Sequence, residues 1–98
     1  MRIYAYIKVP IMTQFAIAQH VELQPIDDAL IVLHITQNAY YKLNNTARFF
    51  FEQLASGKSK DDIINAAANI YDADSQTLST DFDASLRQFI QLGLLNSI

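Results

Sequence analysis

With 98 residues, no cysteine and a formal charge of −3, this chain excludes several protein classes at once. It has room for one domain with a modest core, and it offers no disulfide, thiolate metal site or cysteine nucleophile. Its seven Lys and Arg are scattered, so it lacks the cationic patch that phosphate binding needs.

The chain opens with MRIYAYIKV, in which Ile3, Ala5, Ile7 and Val9 alternate with Tyr4, Tyr6 and Lys8. That is the period of a half-buried strand, and Pro10 ends or edges it. The run is too short to span a membrane and lacks a signal peptide's core and cleavage site, so a cytoplasmic location is expected. Two uses fit the segment: an edge strand on the domain's own sheet, or a contact that joins two copies in a homodimer. Ile11–Ala18 suits an extended connection or a second strand. Residues 1–18 are therefore set apart as an apolar N-terminal extension, with the domain over 19–98.

His20–Leu23 reads as a short strand closed by Pro25 and the turn-forming pair Asp27-Asp28. The run ALIVLHI over Ala29–Ile35 is short, rich in β-branched residues and bordered by turn residues, which predicts a buried strand. After the polar connector Thr36-Gln37-Asn38, Ala39–Leu43 is the third strand, completing an antiparallel meander. Asn44, Asn45 and Thr46 are helix-start residues. Ala47, Phe50, Phe51 and Leu54 then form an i, i+3, i+4, i+7 stripe, and Ser56-Gly57 is the stop. Helical geometry sends Phe50 and Phe51 inward and leaves Phe49 nearer the rim, so core packing explains the triplet better than a stacking platform does.

Ser59, with Asp62 three residues on, is arranged like a capping box with the shorter acid. It opens a helix carrying Ile63, Ala67 and Tyr71 on one line, with Ile64 and Ala68 beside it. Asp72–Asp74 is the break. Ser75 to Leu92 forms the last helix, with Leu78, Phe82, Leu86 and Phe89 at helical spacing, Gly93 as its stop and Leu94-Leu95 closing back on the core. Strands first and three helices after them make a small α+β domain.

Nothing in this order supports catalysis. His20 and His34 lie on facing strands without a third ligand at useful spacing. Asp27-Asp28 and Asp61-Asp62 are explained by turn chemistry and the helix dipole. Asp81 and Asp83, two apart on a helix, point to different sides. There is no nucleophile elbow, and two glycines cannot build a phosphate loop. Neither an enzyme, a metal nor a cofactor is expected.

An ordered set of residues nevertheless carries a resemblance. Tyr40-Tyr41-Lys42-Leu43-Asn44, Thr46-Ala47, Phe50-Phe51-Glu52 and Gly57 resemble the Y-x-L-N-x-T-A/G … I-W-E-L-L-x-G signature of PqqD-like proteins. The likeness continues through Ile63-Ile64, Tyr71-Asp72, Asp81-Phe82 and Leu86 to Gly93-Leu94-Leu95. It covers about residues 20–95, while 1–18 match nothing in it. The resemblance implies a winged-helix-like fold of three strands and three helices. It also implies a non-catalytic element that recognises the leader of a ribosomally made precursor peptide and presents it to a leader peptidase or other modifying enzyme. The leader would lie as an extra strand along the third strand, in a groove walled by the third helix. Phe51 stands where the family often has Trp, and Ser85 stands at an aromatic or aliphatic position, which makes that wall wider or more polar. The chain also lacks the P-E-R-like approach to the third strand found in the pyrroloquinoline quinone branch, so the lasso-peptide branch or a stand-alone element is closer.

Elementary physics points the same way. A three-stranded sheet has an edge whose free N–H and C=O groups are a template for another strand. On the third strand, Tyr40 and Lys42 share the accessible face and Ala39, Tyr41 and Leu43 the other. The expected peptide-binding residues are these five together with Leu78, Asp81, Phe82, Ser85 and Gln88 of the last helix. Asp81, Ser85 and Gln88 are its polar members. The alternatives are a winged-helix nucleic-acid binder, disfavoured because the last helix sets one basic residue, Arg87, against Asp81 and Asp83, and a structural dimerisation module.

Overall fold

Five strands and three helices occupy residues 14–98, the part of the chain that the computed structural model describes. In chain order they are β1 (Phe15–Ile17), β2 (Val21–Ile26), β3 (Ala29–His34), β4 (Ala39–Leu43), α1 (Asn45–Ala55), α2 (Lys60–Tyr71), α3 (Ser75–Gln91) and β5 (Leu95–Ser97). β2, β3 and β4 form the antiparallel meander in that spatial order, and β1 pairs separately with β5. The α+β class and the succession of three strands and three helices are as the sequence predicts.

Two strand assignments change. β2 does not close at Pro25 but runs through it to Ile26, with Pro25 opposite Leu30. Proline is tolerated because β2 is an edge strand, where a missing N–H facing outward costs no ladder bond. Asp27-Asp28 alone forms the turn, with Asp27 at φ 53°. In β3, only Leu30 and Val32 are buried, while Ile31 and Leu33 are half-buried. An antiparallel sheet covered by helices on one face needs only alternate residues inside.

Of Ile11–Ala18, left open between connection and strand, Phe15–Ile17 form β1, while residues 11–13 lie outside the described residues. Phe15, Ala16 and Ile17 pair with Ser97, Asn96 and Leu95. Amide-to-carbonyl bonds from Ala18 to Leu94 (3.0 Å) and from Ile98 to Gln14 (2.8 Å) extend the ribbon at both ends. The strand expected over residues 3–9 lies outside the described residues.

The helix boundaries follow from their caps. The Asn44 side chain accepts from the Ala47 amide at 2.9 Å, Ser59 from Asp62 at 3.2 Å and Asp74 from Thr77 at 3.2 Å. Each bond satisfies one of the amides that a helix start leaves free. Asp72 takes the left-handed conformation at the end of α2. The stripes meet in one core: Phe50 packs edge-on against Phe82 at 5.3 Å and Phe51 against Phe89 at 5.2 Å, with Leu30, Val32, Ile63, Leu94 and Leu95 around them. Phe49 sits at the rim, edge-on to Tyr71 at 5.8 Å.

Candidate functional site: an open strand edge beside a cleft

The meander has two outer edges, and they are not equivalent. β2 carries Pro25, which removes a donor from that edge. Among the described residues, β4 carries no proline and has no strand on its outer side. Which of its backbone groups are free follows from one bond: the Ile35 amide donates to the His20 carbonyl at 2.8 Å. Backbone groups alternate sides along an antiparallel strand, so Ile31 and Leu33, in phase with Ile35, bond towards β2. Leu30, Val32 and His34 therefore bond towards β4, where they face Leu43, Tyr41 and Ala39. That leaves the N–H and C=O groups of Tyr40 and Lys42 pointing out from the edge. Pro25 opposite Leu30 obeys the same phase, since that pair exchanges no ladder bond.

The side chains alternate as expected. Tyr40, at 71% exposure, and Lys42 stand on the open face, while Tyr41 is half-buried and Leu43 is buried. Beside the β4 edge a cleft of about 420 Å³ opens towards α3. Lys42, Leu43 and Asn44 border it on one side, and Asp81, Ala84, Ser85 and Gln88 on the other. Thr46, Ala47 and Phe50 of α1 complete its lining. Ser85 thus faces the cleft as a small polar group, consistent with a wider and more polar wall. The spacing between β4 and α3 is held at one end by Gln37, whose side-chain amide donates to the Leu92 carbonyl at 3.3 Å. Gly93, at φ 73°, lies against it: a Cβ there would come within 3.2 Å of the Gln37 amide nitrogen.

Of the ten residues expected to bind peptide, Lys42, Leu43, Asp81, Ser85 and Gln88 border this cleft, and Tyr40 lies along the same edge. Ala39 and Tyr40 line a separate hollow with Leu33, His34, Ile35 and Asn38. Leu78 and Phe82 are buried in the core, because α3 turns its apolar stripe onto Phe50 and α2 rather than towards the cleft. Asn44, Thr46, Ala47, Phe50 and Ala84 are cleft residues that sequence reasoning left out; the signal for the first four was the short corner that brings the start of α1 under the end of β4, and for Ala84 its place one turn after Asp81.

The two histidines sit at the turn before β2 and at the end of β3. His20 precedes β2 at φ 65°, and His34 accepts from the Gln37 amide through Nδ1 at 3.2 Å. No group of three or more His, Asp or Glu among the described residues is placed to hold a metal ion. No helix among them is long and apolar enough to cross a membrane.

Comparison with known proteins supports the fold. Residues 29–95 match the family model described as coenzyme PQQ synthesis protein D (PqqD). No curated protein matches the chain. Two solved structures are similar. One is TbiB1 in complex with the TbiA(beta) leader peptide, with a TM-score of 0.75 and 27% identity over 83% of this chain and 94% of that one. The other is lasso peptide synthetase B1 complexed with its leader peptide, with a TM-score of 0.78 and 19% identity over 85% and 98% of the two chains.

Proposed function

The chain belongs to the PqqD family, and on that premise we propose that it is a non-catalytic peptide-binding protein, recognising the leader of a ribosomally synthesised precursor. The leader adds to β4 as an antiparallel strand, and the chain presents it to a leader peptidase or other modifying enzyme of the same pathway. The observation that carries this reading is the outward-facing backbone of Tyr40 and Lys42 beside the cleft against α3. Main-chain bonds to such an edge supply affinity, and pockets for alternate side chains supply selectivity. The likeness to TbiB1, whose structure holds a leader peptide, supports the same class of ligand. A lasso-peptide pathway is the nearest setting, and work on a freshly translated precursor assigns the protein to the cytoplasm.

A nucleic-acid role has no comparable support. α3 carries Arg87 as its one basic residue alongside Asp81 and Asp83, the wrong sign for phosphate contacts.

Titration of the isotope-labelled protein with the leader peptide of its own pathway's precursor tests the proposal. Amide shifts are expected along Ala39–Asn44 and along α3 from Asp81 to Gln88. Shifts confined to α2, or no binding at micromolar protein, overturn it.

A further inference from the structure

The cleft beside β4 is bordered by two charges of opposite sign, and neither is neutralised by a partner among the described residues. Asp81 has Leu78 and Thr77 one turn before it on α3 and Ala84 and Ser85 one turn after, so no cation stands at helical-neighbour spacing. The nearby Lys60 is already committed, bonding Asp83 at 2.9 Å. Lys42 lies opposite Ile31 across the sheet, and its same-face neighbours along the chain are Tyr40 and Asn44. It too has no acid beside it, and Arg48 and Glu52 pair with each other at 3.1 Å. Among the described residues, neither Lys42 nor Asp81 forms an ion pair. They also do not pair with each other, although both border the one cleft.

A strand added to β4 meets these two charges on its two faces. Side chains of a strand alternate, so residues opposite Lys42 stand on the open face with it, and residues one position away turn to the inner face, towards α3. The path of a side chain entering there is lined by the apolar Ala47, Phe50 and Ala84 together with the Asp81 carboxylate. That path suits an aliphatic stem with a charged head, the form of Lys and Arg. On the open face an acidic side chain opposite Lys42 gains a favourable cross-strand pair, and a basic one there is repelled. Resting on the peptide-binding reading above, we infer that the cleft reads a charge register in the added strand: a basic side chain directed at Asp81, with an acidic side chain one residue away beside Lys42. Ser85 and Gln88 offer further polar partners to the basic head.

The test is selection of random twelve-residue peptides displayed on phage against the full chain and against two variants, Asp81→Lys and Lys42→Glu. Both positions are exposed and cap no helix, and each variant is used only after a thermal melt matching the parent's. The parent is expected to enrich peptides carrying Lys or Arg immediately beside Asp or Glu. Asp81→Lys is expected to lose the basic preference, with roughly tenfold weaker binding of the peptides the parent selects, the scale of one charge-assisted hydrogen bond. Lys42→Glu is expected to lose the acidic preference while keeping the basic one. Enriched peptides without adjacent opposite charges, or a preference unchanged in Asp81→Lys, overturn the charge register and leave peptide binding standing. Failure of the parent to enrich any peptide overturns both.

Discussion

The Ile35 amide meets the His20 carbonyl at 2.8 Å, and this contact sets the hydrogen-bonding phase of the whole meander. It makes neighbouring prolines act differently. Tyr41 bonds inward to Val32, so Tyr41→Pro removes a ladder bond beside a buried strand and should cost about 1–3 kcal/mol of stability. Lys42→Pro removes only an outward N–H. It should leave the melting temperature close to the parent's and weaken leader binding at least several-fold. Chemical denaturation and peptide titration of the two variants check this. Equal loss of stability in both would show that the phase is wrong.

Asn44 belongs to the corner before it belongs to any ligand, since its side-chain oxygen is taken by the Ala47 amide at 2.9 Å. Asn44→Ala should lower stability by about 0.5–2 kcal/mol. Asn44→Asp keeps the cap and should stay near the parent. Peptide affinity should fall with the loss of stability; a stable alanine variant with abolished binding would reverse the assigned role.

Gly93 ends α3 at φ 73° and lies against Gln37. Gly93→Ala forces a side chain into the left-handed region, at roughly 1–2 kcal/mol, and pushes on the amide that bonds Leu92. Gln37→Ala removes that bond without the backbone strain. Both variants should alter amide shifts at the β4 end of the cleft, and Gly93→Ala should unfold at lower denaturant. A Gly93→Ala variant as stable as the parent counts against the strained corner.

Tyr71 links pH to stability. Burial raises its phenol above the ordinary tyrosine value of 10.0, and the carboxylates of Asp28 and Glu52 add to the effect. Its hydroxyl also donates to the Asn45 side-chain oxygen at 3.1 Å, which a phenolate cannot do. A raised folded pKa means that the native state holds this proton more tightly than the unfolded chain. The stabilisation is complete below the unfolded value near 10 and is lost as pH climbs through the folded one. The difference in unfolding free energy between the parent and Tyr71→Phe should therefore be flat below pH 9 and shrink above pH 10, read by denaturant melts across that range. A flat difference throughout would remove Tyr71 as the cause.

The segment MRIYAYIKV, outside the described residues, still makes a test. An apolar alternating segment left uncovered would be an aggregation liability, so it is expected to pair with a sheet edge, and deleting residues 1–9 should expose that edge and lower solubility or change the oligomeric mass. Unchanged mass and stability by light scattering and melting would leave it as a tail.

The features legible in the order of residues are those that local chemistry controls. β4 begins and ends where its alternation and its Asn-rich corner place it. The stripe through Phe50, Phe51 and Leu54 faces the core, and Asn44 and Ser59 cap their helices, because periodicity and capping bonds act over a few residues. The family signature was legible for the same reason, being a string of such local commitments. Tertiary structure decided the rest. LNS becomes a strand only because FAI, far away in sequence, pairs with it; three residues carry no period of their own. Pro25 stays inside β2 because that strand lies at an edge, a fact that no local rule contains. Leu78 and Phe82 went into the core while Asn44, Thr46 and Ala84 came to the cleft, since the rotation of α3 is set by packing against Phe50 and α2. The free backbone groups of Tyr40 and Lys42 follow from a bond between His20 and Ile35 on the opposite side of the sheet, and only the assembled ladder carries that information across β3.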